Sequence, residues 1–179
     1  MPDSIASTAF PIVENLVSEQ YHVRIAKDAL VFSAAHFITF AGNICERLHG
    51  HNYKVAAEVH GPLDENQYVV DFIAVRDALQ AIVATLDHHV LLPTDHPRIK
   101  VVAEDSSVEV TFEERRWVFP RGDCVLLPVA NTTAELLARF IGGKLLDALE
   151  KKTGVRPRHV KVAVDECEGQ WGVWEARDE

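Results

Sequence analysis

The sequence predicts an α+β fold built on an antiparallel sheet, and three observations predict it. Strand-like segments gather at the two ends of the chain, two before the first helical stretch and two after the second. Two intervening stretches carry apolar residues at helical spacing. The order is strand, strand, helix, hairpin, helix, strand, strand, which is not the alternation of a parallel βαβ sheet. A chain of 179 residues suits one domain, 1–179, and is long enough to bury a core.

Residues 1–20 read as an N-terminal arm of no defined structure. "YHVRIAKDALVFSAAHFI" (21–38) contains alternation and β-branched residues, as a strand does. "NYKVAAEVHG" (52–61) reads as a second strand ending at Gly61-Pro62, antiparallel to the first. In "DFIAVRDALQAIVATLDHH", Phe72, Val75, Leu79, Ile82, Val83 and Leu86 recur at helical spacing, with Asp71 placed to cap. The segment 93–128 is long, and "SVEVTFEERRWVF" within it alternates as a hairpin turning at Glu113 to Arg116. A second helix spans Ala134 to Lys152, with a stripe of Leu137, Phe140, Ile141, Leu145 and Leu149. Thr132-x-x-Glu135 has capping-box spacing, and Gly154 then Pro157 mark the stop. "RHVKVAVDE" and "WGVWEA" read as the closing strands.

Composition excludes several classes of function. The formal charge of −9 is wrong for a nucleic-acid or anionic-membrane partner, since both are polyanions. No run approaches the roughly 18 apolar residues of a spanning helix. The first twenty residues lack the basic and apolar regions of a secretory signal. Cys45, Cys124 and Cys167 are an odd number at wide spacing, which fits free thiols and a reducing cytoplasm. Cys124 and Cys167 read as packing residues. There is no glycine-rich phosphate loop and no GxSxG.

The chemistry-bearing stretch is "CERLHGHNY", Cys45 to Tyr53. His49 and His51 are two apart, so in an extended segment their rings share one face. His36, near the end of the preceding strand, supplies a third nitrogen if the two strands pair. Three neutral imidazoles suit Zn²⁺ and leave a fourth position open. Spacing alone is equally compatible with two polar strand positions and a core histidine. Cys45 beside a dication and imidazoles would have a lowered pKa and act as base or nucleophile; a buried small hydrophobe or a fourth zinc ligand are its alternatives.

Five motifs in order, "FSAAHF", "CERLHGHNY", "LDHH", "TTAE" and "VAVDE", resemble the 6-pyruvoyltetrahydropterin synthase/6-carboxytetrahydropterin synthase family over roughly 22–92 and 129–175. The resemblance implies the tunnelling fold, a four-stranded antiparallel sheet with two helices on one face, to which 93–128 is an insertion. It implies trimers stacked as a homohexamer, with active sites between subunits. It implies Zn²⁺ on His36, His49 and His51, Cys45 as catalytic base, and Asp87 with His88 assisting from a neighbouring subunit. "DHH" leaves His89 a competitor of His88, and the end of a helix is the ordinary reading of that pair.

The resemblance further implies that Glu166 anchors the pterin by two parallel hydrogen bonds, with Thr133 close by. Leu136 stands where the family often has Asn. Arg24, Lys27 and Arg47 are triphosphate candidates by composition only. The implied reaction turns 7,8-dihydroneopterin triphosphate into 6-carboxy-5,6,7,8-tetrahydropterin, acetaldehyde and triphosphate, without a nicotinamide. The alternatives are a pyruvoyltetrahydropterin synthase, a dihydroneopterin aldolase-like relative, and a zinc-stabilised pterin-binding module without catalysis.

Overall fold

The computed structural model describes residues 18–42 and 44–178. Residues 1–17 of the expected arm therefore lie outside the described residues. Eleven strands and two α-helices follow in order. They begin with β1 (Tyr21–His36), β2 (Thr39–Phe40), β3 (Ile44–Cys45) and β4 (His49–Gly61). Then come α1 (Phe72–Ala84), β5 (His89–Pro93), β6 (Lys100–Ala103), β7 (Ser107–Phe112), β8 (Arg115–Pro120) and β9 (Cys124–Leu127). The chain closes with α2 (Ala134–Thr153), β10 (His159–Cys167) and β11 (Gln170–Arg177).

The main sheet runs β11-β10-β4-β1-β5-β9. Its first four strands are the expected antiparallel set. The strand count needs correcting: β5 joins β1 in parallel, and β9 joins β5 in parallel. "HVLLP" and "CVLL" are short apolar runs without alternation, because such strands are covered on both faces. The expected hairpin forms with a tighter turn, since Phe112 pairs with Arg115 around Glu113 and Glu114. The strand β6 adds a third member, so β6-β7-β8 is a separate small sheet.

A shift in register sets the faces. From Ala26 to Val31 the strand β1 advances five residues while β4 advances only from Ala56 to Lys54. The extra residues reverse the phase of β1. Val23 and Ile25 are buried before the irregularity, and Leu30, Phe32, Ala34 and His36 after it. In β4 the phase never changes: Tyr53, Val55, Ala57 and Val59 all face the core. His36 thus reaches the same face as the residues opposite it.

Both helices pack on that face. Asp71 caps α1, its Oδ1 accepting from the Ile73 N–H at 2.8 Å. Val75, Leu79 and Val83 are buried under it. Phe72, expected in the stripe, is 57% exposed, because it precedes the first turn that meets the sheet. In α2, Leu137, Ile141, Leu145 and Leu149 are fully buried, each burial contributing about 1.5–3 kcal/mol. Gly154, at φ +75°, ends the helix as expected. Close approach of β11 to α2 requires glycine at Gly172, where a Cβ would lie 2.5 Å from the backbone of Ala134 and Glu135.

A second cluster joins the small sheet to the rest: Phe37, Leu92, Ile99, Val108, Val110, Phe112 and Cys124, with Cys45 and Trp117 against it. Cys124 is a packing residue as expected, whereas Cys167 is exposed at the β10–β11 turn. No helix among the described residues is long and apolar enough to cross a membrane.

Candidate active site

His36 and His49 face each other across β1 and β4, and His51 follows two residues on. One ligand atom from each of the three lies within 4.8 Å of the others. A tetrahedral metal with bonds of roughly 2.0 Å needs edges of about 3.3 Å, so modest side-chain rotation closes the set. The rings are mutually tilted, at 58°, 77° and 85°, so they converge instead of stacking.

The hydrogen bonds decide the tautomers. His36 Nδ1 lies 2.9 Å from the Thr132 carbonyl, and His49 Nδ1 lies 2.8 Å from the Arg47 carbonyl. A carbonyl only accepts, so both Nδ1 atoms carry a proton, and in the neutral ring it is Nε2 that presents the lone pair. His36 Nε2 is buried without a hydrogen-bond partner. Burial chiefly, with His49 and His51 adding to it against the Thr132 bond, lowers the His36 pKa to about 4, so the ring is neutral at pH 7. An orphaned buried imidazole nitrogen, neutral and fixed by a backbone carbonyl, fits a metal ligand with its outer partner. The Cys45 thiol is not in the cluster.

Glu166, near the end of β10, stands beside the triad. Its Oε1 is 3.4 Å from His36 Nε2, without hydrogen-bond geometry, and accepts from the Tyr53 hydroxyl at 3.5 Å. Tyr53 is fully buried, and that burial with the nearby Glu166 charge raises its pKa. Period-two reading onward from His49 and His51 would have found Tyr53 on the same face.

The cap of α2 falls one residue later than the capping-box spacing predicts. Thr133, not Thr132, is the N-cap of α2, its hydroxyl accepting from the Leu136 N–H at 3.5 Å. Thr132 is buried, gives its carbonyl to His36, and donates its hydroxyl to the Phe37 carbonyl at 3.1 Å. The capping-box spacing is off by one because the helix begins at Ala134.

Asp87 and His88 do not end the helix; they lie in the turn between α1 and β5. Asp87 Oδ2 is 2.8 Å from His88 Nδ1, and Oδ1 accepts from the Ser33 N–H at 2.7 Å. These bonds, the Ser33 one first, lower the Asp87 pKa. The backbone of His88 sits at φ +58° and donates to the Ser33 carbonyl at 2.6 Å. Three other turns hold a non-glycine residue at positive φ, at Ala41, Gln67 and Glu113, so here it is the bonds to Ser33 that single out the turn. His89 instead bonds the Asp87 carbonyl at 2.6 Å, so the carboxylate–imidazole pair is 87 with 88. A cleft of about 490 Å³ opens beside it, lined by Ser33, Ala35, Asn52, His51, His88 and His89. No hydrogen bond or ion pair among the described residues joins this pair to the three histidines.

Burial raises the Cys45 pKa in the protein alone, opposed by Arg115 and assisted by Glu46 and Glu113. That is opposite to the direction expected beside a dication. Of the triphosphate candidates, Arg24 pairs with Glu58 at 3.7 Å, and Lys27 and Arg47 are exposed.

A model of the 6-pyruvoyl tetrahydropterin synthase family matches residues 24–176. The chain belongs to that family. It is 30% identical over 142 residues, 79% of this chain and 86% of the other, to a Methanocaldococcus jannaschii protein provisionally named 6-carboxy-5,6,7,8-tetrahydropterin synthase. It is 31% identical over 113 residues, 61% of each chain, to the Aquifex aeolicus 6-carboxy-5,6,7,8-tetrahydropterin synthase. The 6-pyruvoyl tetrahydropterin synthase of Plasmodium vivax superposes with a TM-score of 0.81 at 25% identity, over 90% of this chain and 100% of the other. This member of the 6-pyruvoyl tetrahydropterin synthase family therefore has the tunnelling fold and is an enzyme of the lyase type.

Proposed function

We propose that this enzyme is zinc-dependent and converts 7,8-dihydroneopterin triphosphate, with water, to 6-carboxy-5,6,7,8-tetrahydropterin, acetaldehyde and triphosphate. The observation that carries the reading is the 3.4 Å separation of Glu166 Oε1 from the lone-pair nitrogen of His36. It brings a carboxylate able to read two ring donors into the same site as the metal-ligand set, the two groups that a pterin would engage through its ring edge and its side chain. The choice of branch is supported by the names of the archaeal and Aquifex relatives.

Zinc on His36, His49 and His51 supplies a Lewis acid for the side-chain hydroxyls. Glu166, steadied by Tyr53, accepts from the 2-amino group and the adjacent ring N–H. Cys45 as thiolate takes a proton from the substrate side chain. His88, oriented by Asp87, moves a proton from a neighbouring subunit. Thr133, at the start of α2, stands one residue from the carbonyl that orients His36. The protein works as a homo-oligomer, two trimers making a hexamer, in the cytoplasm.

Incubation of the purified enzyme with 7,8-dihydroneopterin triphosphate, with products identified by mass spectrometry, tests the proposal. Carboxytetrahydropterin and acetaldehyde are expected, and Cys45→Ala should abolish both. Pyruvoyltetrahydropterin would assign the other branch of the family, and a shortened side chain without reduction of the ring would assign an aldolase.

A further inference from the structure

The small sheet β6-β7-β8 and the loop that leads into it grip the hairpin that carries Cys45. Thr39 in β2 pairs with Cys45 in β3. At the start of this hairpin, His96 Nδ1 accepts from the N–H groups of Arg98 and Ile99, at 3.0 and 2.8 Å. Its Nε2 must therefore carry the proton, which it donates to the Thr39 hydroxyl at 2.8 Å. At the loop, Arg98 Nη1 donates to the Gly42 carbonyl at 3.3 Å. At the end, Arg115 Nη1 donates to the carbonyl of Cys45 itself at 2.5 Å.

Arg115 is held for this task. It opens β8 directly after the turn, and its guanidinium lies 4.6 Å over the Trp117 ring. Trp117 stacks on Phe37 with centroids 4.8 Å apart, and Phe37 follows His36. One packed line thus runs from Arg115 to the residue next to a metal-ligand candidate. Among the described residues Arg115 has no carboxylate at ion-pair distance, in contrast to Arg98, which pairs with Glu113. Its charge is left to act on what lies beside it.

We propose that Arg115 is a positioning residue for the reaction, supplied by the inserted sheet, which holds the Cys45 segment and stabilises the thiolate. This rests on reading Cys45 as the base. The charged groups acting on the thiol are Arg115, Glu46 and Glu113. Burial and the two carboxylates all favour the protonated thiol, and among these residues Arg115 alone favours the thiolate. Removing it takes away the side-chain charge that, among the described residues, draws the proton off. The insertion thereby takes part in the chemistry of the site through a backbone hydrogen bond and a charge, without contributing a ligand or a nucleophile.

The test measures the pH dependence of iodoacetamide alkylation at Cys45 in the metal-loaded enzyme, read peptide by peptide so that Cys167 does not interfere. Arg115→Met should raise the alkylation midpoint by about one pH unit, the lower end of the effect of an adjacent guanidinium, with metal content unchanged. Arg115→Lys should recover much of the shift, and Glu113→Gln should move the midpoint downward. Arg115→Gln, which keeps a side-chain donor but not the charge, carries the test if Arg115→Met does not fold, and an unmoved midpoint there overturns the proposal. An unmoved midpoint in folded Arg115→Met overturns it as well. If the alkylation midpoint moves but the pH profile of turnover does not, Arg115 still governs the thiol, and it is Cys45 as base that falls.

Discussion

His36 donates its Nδ1 proton to the carbonyl of Thr132 across 2.9 Å, from the end of β1 to the residue before the α2 cap. The bond joins the sheet to the helix layer and leaves Nε2 as a lone pair with no protein partner. The candidate metal site is in this sense part of the sheet–helix contact, and the orientation of His36 is inherited from the packing of α2.

One zinc per chain is the expected result of metal analysis on the purified enzyme. His49→Ala should weaken the metal by more than about tenfold, the scale on which even outer partners of a ligand act. Cys45→Ala should leave the content unchanged, because the thiol is outside the histidine cluster. Full occupancy in His49→Ala would remove the three-histidine assignment.

Glu166→Gln replaces one acceptor oxygen by a donor and removes the charge. Pterin binding, followed by fluorescence titration, should weaken by about 1.5–3 kcal/mol, or roughly 10- to 150-fold in Kd. An unchanged affinity would place the ring anchor elsewhere.

Sites shared between subunits should show complementation. The outer edge of β11 is unpaired among the described residues, and β5 covers β1 only at Ala34 and Ala35. Such edges are ordinarily paired or covered. Mixing Cys45→Ala with His88→Ala under verified subunit exchange should restore part of the activity. Mixed oligomers that stay inactive would put both groups in one chain's site or replace His88 by His89, and repeating the mix with His89→Ala separates the two.

A second histidine group carries a dependence on pH. His22, His60 and His159 lie side by side on β1, β4 and β10, with rings 4.7 and 4.0 Å apart at 25° and 14°. Stacked planes do not aim their lone pairs at one point, which distinguishes this group from the tilted triad. Burial first, then His159 and His22, lowers the His60 pKa, with Glu58 opposing. Glu175 on His159, and Lys161 and Arg24 near Glu58, complete the charges there. A lowered folded pKa means the unfolded chain binds the proton more readily. Stability should therefore fall as pH drops below about 6.5, the unfolded value. The denaturation midpoint of His60→Gln should depend less steeply on pH over that window, and an identical slope would show that the stack does not titrate.

The sequence by itself determined the α+β class and both helices with the Asp71 cap and the Gly154 stop, and it put His49 and His51 on one face with His36 as a third candidate. Those features are local: helical period, cap chemistry and the alternation of a strand are written within a few residues of each other. The turn hairpin of the insertion was legible for the same reason. The change of phase in β1, from Val23 and Ile25 to Leu30 and Phe32, is visible in the alternation, but only the tertiary structure decided the register that sets His36 opposite His49. It likewise decided that Thr132 orients His36, that "HVLLP" and "CVLL" become strands, and that Arg115 reaches Cys45 seventy residues away. Each of these depends on long-range pairing, in which a partner distant in the chain supplies the hydrogen bond or burial that no local pattern encodes.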